Sequence, residues 1–204
     1  MRFHQLAGYS ILLALIPAWT PAWAQATSEW APREGSRLLG TAAPSWEGVE
    51  WIQGGPLDLE SLRGRPVLLR FWLVDCPFCA ATAPALRELA ERYGDRGLVV
   101  VGIHHPKSAA ARDPARVLAG ARALGFDFPI GLDNEWRTIR AYGVGSEFRS
   151  FTSVSFLIDG DGIIRWLHDG GEFHRGGGES HRACQEAFAS LEAEIASLLT
   201  TTGS

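Results

Sequence analysis

Two nearly unbroken apolar runs set the pattern of this chain, Val67-Leu68-Leu69-Arg70-Phe71-Trp72-Leu73-Val74 and Leu98-Val99-Val100-Val101-Gly102-Ile103. Runs of this length without polar alternation predict strands covered on both faces, at the centre of a sheet. Between them, from Pro77 onward, Leu86, Leu89, Ala90 and Tyr93 recur at helical spacing up to Gly94, with Pro84 inside and expected to kink the helix. A second helix is predicted over Pro114 to Leu124, with Asp113 as N-cap and Pro114 in the first position. Phe128-Pro129-Ile130 reads as a short strand, followed by a helix from about Asn134 to Tyr142. Val154 to Ile158 and Ile163 to Leu167 flank the turn Asp159-Gly160-Asp161-Gly162, which predicts a hairpin. A closing amphipathic helix over 179–199 carries Ala187, Leu191, Ile195 and Leu198 on one face. Upstream, Val49-Glu50-Trp51-Ile52 and Leu57-Asp58-Leu59, on either side of Gln53-Gly54-Gly55-Pro56, predict a short β-hairpin. Strands alternating with helices, then an antiparallel hairpin and a final helix, make one mixed α/β sandwich.

The first 24 residues follow a different pattern. Arg2 and His4 precede the apolar stretch Leu6 to Trp19, and Ala22-Trp23-Ala24 supplies small residues around a cleavage point, which is the layout of a signal peptide over residues 1–24. Pro17 and Pro21 interrupt the stretch, and its length falls short of a membrane span; an uncleaved anchor is the competing reading. Residues 25–39 are polar and rich in small side chains, a flexible lead-in to a domain over 40–200. Arg2 is the only formal charge in the leader, so its loss takes the net charge from −4 to −5. A mildly acidic chain without a basic stripe gives nucleic-acid binding no electrostatic support. The expected location is outside the cytosol, in the periplasm, with no membrane span after cleavage.

Three cysteines are too few for a disulfide framework, and two of them form Cys76-Pro77-Phe78-Cys79. The pair follows the first apolar strand and opens a helix. There the first sulfur meets unpaired N–H groups and the positive end of the helix dipole, which favour its thiolate. The second sulfur lies one turn on, close enough to close a disulfide ring. This arrangement suits reversible dithiol–disulfide exchange, with Cys76 as nucleophile and Cys79 as resolving thiol. A zinc ribbon would need a second ligand pair at comparable spacing, and the chain has none. No organic cofactor is required, because the Cys76–Cys79 disulfide carries both electrons.

Gly40-Thr41-Ala42-Ala43-Pro44, Leu59 to Pro66, Phe71-Trp72, the CPFC sequence, Pro84, Val99 to Ile103, Phe128-Pro129-Ile130, Ala141-Tyr142-Gly143-Val144 and Phe156 to Gly162 occur in that order. In this series the chain resembles the exported TlpA/ResA-like branch of the thioredoxin-like proteins, near the AhpC/TSA redoxins. The resemblance implies a thioredoxin-like three-layer sandwich with a mixed central sheet, here extended by the N-terminal hairpin and closed by the C-terminal helix. It also implies thiol–disulfide exchange with protein partners outside the cytosol, as in cytochrome c maturation or metalloprotein assembly, supplied by a membrane electron donor.

Several positions depart from that pattern. Members of the branch usually place Trp before the first Cys and often Glu three residues after the second; here these are Asp75 and Thr82. The cis-proline that faces the dithiol falls at Ser153, so a trans Thr152–Ser153 peptide is expected. The buried carboxylate six residues before the first Cys is replaced by Arg70. A cation there favours thiolate, whereas Asp75 beside Cys76 opposes it. Either Arg70 pairs with Asp75, or its stem covers core surface while its head reaches solvent. Pro77 and Phe78, between the sulfurs, complete the set expected to tune the site.

Outside the dithiol, His104 and His105 end the second strand, where a solvated loop position is the ordinary expectation. The tail carries His168, Glu172, His174, Glu179, His181 and Cys184. His181 and Cys184 are one helical turn apart, so His174, His181 and Cys184 are candidate ligands for copper or zinc, although their spacing matches no standard site. The competing reading packs Cys184 on the face with Ala187 and Leu191. Two alternative functions compete on spacing. A redoxin-type thiol peroxidase places Thr or Ser three residues before the attacking Cys, where this chain has Leu73. A copper-binding assembly factor of the Sco type spaces its cysteines by three and adds a His before the final hairpin, and this chain has none in 145–158.

Overall fold

In the computed structural model, which describes residues 37–144 and 151–201, six strands form one sheet. They are β1 (Glu50–Gln53), β2 (Val67–Trp72), β3 (Val99–His104), β4 (Ile130–Leu132), β5 (Ser155–Ile158) and β6 (Ile164–His168). Across the sheet the order is β1-β4-β3-β2-β5-β6. The β2, β3 and β4 strands run parallel, while β1, β5 and β6 join antiparallel to their neighbours. The two apolar runs are the adjacent central strands β2 and β3, and every residue in them is buried. Residues 1–24, read as a signal peptide, and most of the 25–39 lead-in lie outside the described residues.

Alternation along β2 sorts its side chains between two cores. Leu68 and Trp72 face the side covered by α1 (Pro77–Tyr93), α2 (Pro114–Ala123) and α4 (Arg182–Thr201), through Leu86, Leu89, Val117, Ala121, Phe188, Leu191 and Ile195. Val67, Leu69 and Phe71 face the other side, where α3 (Arg137–Ala141) contributes Ile139 and the N-terminal segment contributes Trp46. Tyr142 ties that second side together: Trp46 Nε1 donates to its hydroxyl at 3.1 Å, and the hydroxyl donates to the Pro44 carbonyl at 2.9 Å. Arg70 shares parity with Leu68 and Trp72, which places its side chain beneath α1 and α4.

The predicted N-terminal hairpin does not form. Its first arm is β1, which pairs with β4 at the sheet edge, and its second arm, residues 57–59, forms no strand and leads into a turn. Two contacts explain the exchange of partner. The Gln53 side chain donates to the carbonyls of Phe126 (3.0 Å) and Phe128 (2.7 Å). A Cβ on Gly131 would lie 2.3 Å from Val49 Cγ1, so only glycine admits this close approach of β1. The Asp58 carboxylate meanwhile accepts from the Ser61 N–H at 2.6 Å and closes a turn. The α2 helix starts as predicted, with the Asp113 carboxylate capping the Ala115 N–H at 3.0 Å and Pro114 in its first turn. The third helix is shorter than predicted, beginning at Arg137. Trp136 adopts a left-handed φ of 58°, and buried Asp133 caps the N–H groups of Arg137 and Ile139, each at 2.8 Å. Pro84 sits within α1 without ending it.

Candidate active site

The dithiol sits where β2 hands over to α1. Asp75 makes the turn with a φ of 60°, which a short polar residue tolerates better than a branched apolar one. Cys76 is the N-cap of α1, and its sulfur accepts the Cys79 N–H at 3.3 Å. Pro77 fills the first helical turn, where its missing N–H costs no hydrogen bond. Cys76 is half-buried and Cys79 is 1% exposed, and both are free thiols. The Cys76 thiol is pulled down to about 6, chiefly by the hydrogen bond to its thiolate from Cys79; the Cys79 backbone N–H, the charge on Arg70 and the Phe78 N–H add to this against the effect of burial. The Cys79 thiol moves the other way, raised by its hydrogen bond to Cys76 and by burial.

Arg70 is 1% exposed. Its Nη1 donates to Ser155 Oγ at 3.1 Å, its Nη2 donates to the Gly171 carbonyl at 2.9 Å, and the guanidinium carbon lies 5.7 Å from the centre of the Phe173 ring. Among the described residues no carboxylate pairs with it. Burial lowers its affinity for the proton, and the opposing influence comes from Cys79 and Cys76. Both expectations for Arg70 are therefore corrected. Its head reaches no solvent, and it does not meet Asp75, whose Oδ2 pairs instead with Arg116 Nη2 at 2.5 Å on the surface. The reason is parity: Arg70 points under α1 from the central strand, while Asp75 stands in the turn above it.

Thr82 is buried against the same loop as Arg70. Its hydroxyl donates to the Phe78 carbonyl one turn back at 2.8 Å and accepts the Phe173 N–H at 3.4 Å. Ser153 is buried in the segment before β5, and Gly55–Pro56 is the one cis peptide among the described residues, so Thr152–Ser153 is trans. Thr152 Oγ1 hydrogen-bonds His105 Nε2 at 2.7 Å, which ties this segment to the end of β3. His104 and His105 are both fully buried, contrary to the loop position expected of them, because β3 runs on to His104 opposite Trp72. Burial pushes the His104 imidazole down to about 4 and moves His105 the same way.

Some residues at this site were not singled out by the sequence reading. Phe151 is 44% exposed and meets Phe78, 36% exposed, edge-on at 5.2 Å between ring centres. Their proximity to Cys76 follows from Phe78 lying between the cysteines; the one available signal for Phe151 was an aromatic two residues before Ser153. On the other flank a groove of about 570 Å³ runs between α1 and α2, lined by Cys76, Pro77, Ala80, Arg116, Gly120 and Leu124 among others. Farther along the chain, the structure brings His174, His181 and Cys184 together, with Glu172 as a fourth member.

A parallel-centred sheet with a CxxC at the start of the following helix defines a thioredoxin-like protein. The sequence matches the AhpC/TSA family over residues 39–167, and the chain belongs to that family. It is 35% identical over 132 residues to Protein DipZ of Mycobacterium bovis, a match spanning 63% of this chain and 18% of that protein. It is 29% identical over 126 residues to thiol-disulfide oxidoreductase ResA of Bacillus thuringiensis, over 62% of this chain and 66% of the relative. The chain thus spans less than a fifth of the mycobacterial relative and just under two thirds of the Bacillus one. Thioredoxin-like protein YneN of Bacillus subtilis is 26% identical over 166 residues, 81% of this chain and 89% of YneN. Among solved structures, a thiol:disulfide interchange protein of the thioredoxin family from Chlorobium tepidum superposes with a TM-score of 0.59 at 22% identity, covering 78% of this chain and 97% of the other.

Proposed function

We propose that this chain is a thiol–disulfide oxidoreductase that acts on protein partners through Cys76 and Cys79. The observation that carries the reading is the asymmetry of the pair: a half-exposed sulfur at a helix N-cap, with its partner buried behind it above a guanidinium. The Cys76 thiolate attacks one sulfur of a partner disulfide, forming a mixed disulfide and releasing the other partner sulfur as thiolate. The Cys79 thiol then gives its proton to that departing thiolate and attacks Cys76 Sγ. The Cys76–Cys79 disulfide closes, the second partner sulfur leaves as thiolate and takes its proton from water, and two electrons have passed to the partner. Run in reverse, the same steps install a disulfide. Resetting the pair requires a thiol donor, which we assign to a membrane electron carrier on the strength of the leader at residues 1–24.

The signal-peptide pattern of residues 1–24 fits the reading: three cysteines make no disulfide framework, and outside the cytosol a CxxC drifts to the disulfide unless a thiol donor keeps it cycling. Among the described residues no helix is long and apolar enough to cross a membrane. The names of the ResA relatives point to the same chemistry. The exposed Phe78–Phe151 pair supports protein partners, since an aromatic platform beside the nucleophile offers apolar area to a chain laid across it. Reduction of insulin by the pre-reduced protein tests the proposal: Cys76→Ser is expected to abolish it, and Cys79→Ser to accumulate a mixed disulfide with the partner. Undiminished turnover in Cys76→Ser would overturn it.

A further inference from the structure

Four side chains of different chemistry converge between the loop after β6 and the start of α4: Glu172, His174, His181 and Cys184. Their ligand atoms all lie within 4.8 Å of one another. Glu172 Oε1 stands 3.8 Å from His174 Nε2 and 3.6 Å from His181 Nδ1. In a tetrahedral zinc site with bonds of about 2.0–2.3 Å, neighbouring ligand atoms stand roughly 3.3–3.8 Å apart. The carboxylate therefore already stands at that spacing from each imidazole.

The surroundings hold these groups in place. His174 Nδ1 hydrogen-bonds the Gly176 carbonyl at 2.9 Å; the carbonyl can only accept, so Nδ1 donates, and this bond fixes the ring with Nε2 toward Glu172. Gln185 Nε2 donates to the Gly176 and Gly177 carbonyls at 3.2 and 2.9 Å, tying the glycine run to α4. Gly177 has a φ of 92°, and a Cβ there would lie 2.7 Å from the His181 ring, so glycine is what lets that ring sit where it does. The Gly176-Gly177-Gly178 run is thus part of the arrangement, not a slack connector.

The cluster gathers electron-pair donors with no lysine or arginine among them. Arg175, adjacent in sequence, turns away to Glu88 and Glu192 at 2.8 and 2.5 Å. Arg182 pairs with Glu179 at 2.9 Å. Among the described residues no lysine or arginine pairs with Glu172. A carboxylate, two imidazoles and a thiol facing one another are a donor set that one metal cation can share.

We propose that Glu172, His174, His181 and Cys184 form a four-ligand site for Zn²⁺. The donor set is too soft for Ca²⁺ or Mg²⁺, which take oxygen ligands in larger number or octahedral geometry. One thiolate, two imidazoles and one carboxylate with ligand atoms all within 4.8 Å of one another suit zinc. The bound ion clamps the 172–174 segment to α4. The same segment carries Phe173 against Arg70 and Thr82, next to the Gly171 carbonyl, so the clamp fixes the loop that roofs the guanidinium.

The test uses the full chain with Cys76→Ser and Cys79→Ser, which leaves Cys184 as its only thiol and prevents the CPFC pair from binding metal. Titration with Co²⁺ is expected to give one equivalent, with the intense visible bands of tetrahedral cobalt and a thiolate-to-cobalt charge-transfer band. Zn²⁺ should displace it stoichiometrically. Adding Cys184→Ser is expected to remove the charge-transfer band, and adding His181→Ala to weaken Zn²⁺ binding by at least about 10-fold, with unchanged far-ultraviolet circular dichroism in both. No cobalt bands in the parent variant, or a charge-transfer band that survives Cys184→Ser, would overturn the proposal.

Discussion

Arg70 Nη2 donates to the Gly171 carbonyl at 2.9 Å, joining the middle of the central strand to the loop after the last strand. This bond and the one to Ser155 Oγ are worth about 1.5–3 kcal/mol each, as hydrogen bonds to a charged group. Burying an ion costs several kcal/mol even after relaxation, so two neutral acceptors offset that cost only in part. The remaining compensation comes from the sulfurs above, the Cys79 sulfur by charge and hydrogen bond and Cys76 by charge, which are the groups that favour the charged form of Arg70. Arg70 therefore acts through Cys76 and Cys79 as a positioning charge, and the thiolate acts on it in turn.

Arg70→Met follows from that relationship. Removing the cation is expected to raise the Cys76 midpoint from about 6 by roughly one unit. Because thiolate stabilises the reduced form, the Cys76/Cys79 potential should become more negative by about 30 mV. Thiolate absorbance against pH and equilibration with a glutathione series measure the two shifts. A Cys76 midpoint that does not move would remove Arg70 from the site's chemistry.

Asp75 should matter less than its place beside Cys76 suggests. Its carboxylate is held by Arg116 at the surface, where an exposed ion pair contributes about 0–1 kcal/mol. It is not among the groups that shift Cys76. Asp75→Asn is therefore expected to leave the thiolate midpoint within a few tenths of a unit and the urea midpoint nearly unchanged. Asp75→Val, by contrast, forces a branched side chain into a left-handed turn and should destabilise by about 1–3 kcal/mol.

The two exposed phenylalanines give a way to separate docking from chemistry. Phe151→Ser removes half of the aromatic platform and leaves both cysteines in place. Turnover of a folded or polypeptide disulfide such as insulin should fall several-fold through KM, while reduction of a small aromatic disulfide reagent stays near the parent rate. Equal losses on both substrates would mean that Phe151 acts on the dithiol itself and not on the partner.

The features that could be read from the sequence are those that depend on near neighbours. Two nearly unbroken apolar runs of strand length point to central strands, and Asp113-Pro114 is a local helix-start signal. A CxxC that follows a strand lands on a helix N-cap by local geometry alone. What escaped depends on distant partners. Glu50–Gln53 pairs with β4 because Gly131 leaves room for Val49, about eighty residues away in sequence. Arg70 was recognised as anomalous, yet its choice between Asp75, solvent and the Gly171 carbonyl is settled by a loop a hundred residues on. His181 and Cys184 could be placed one turn apart, but Glu172 joins them only through the fold of the glycine run.

The buried histidines make the last prediction. His104 is buried with both ring nitrogens lacking a hydrogen-bond partner among the described residues, and its imidazole titrates near 4 against an ordinary value of 6.5. Between these values the unfolded chain holds a proton that the native protein does not. Stability therefore rises with pH across this window; its full value is in place above about 6.5, and it is lost as the pH falls toward 4. The loss attributable to His104 is on the order of 3 kcal/mol, and His105 acts in the same direction. His104→Leu keeps the packing against Trp72 but has nothing to protonate. Urea unfolding of both proteins from about pH 4.5 to about pH 7.5 isolates this contribution, because the carboxylates are common to both. The variant should lose less stability on acidification and, freed of two unsatisfied nitrogens, should match or exceed the parent at the upper end. Parallel pH dependences would show that His104 is protonated in the native protein and that its burial carries no such penalty.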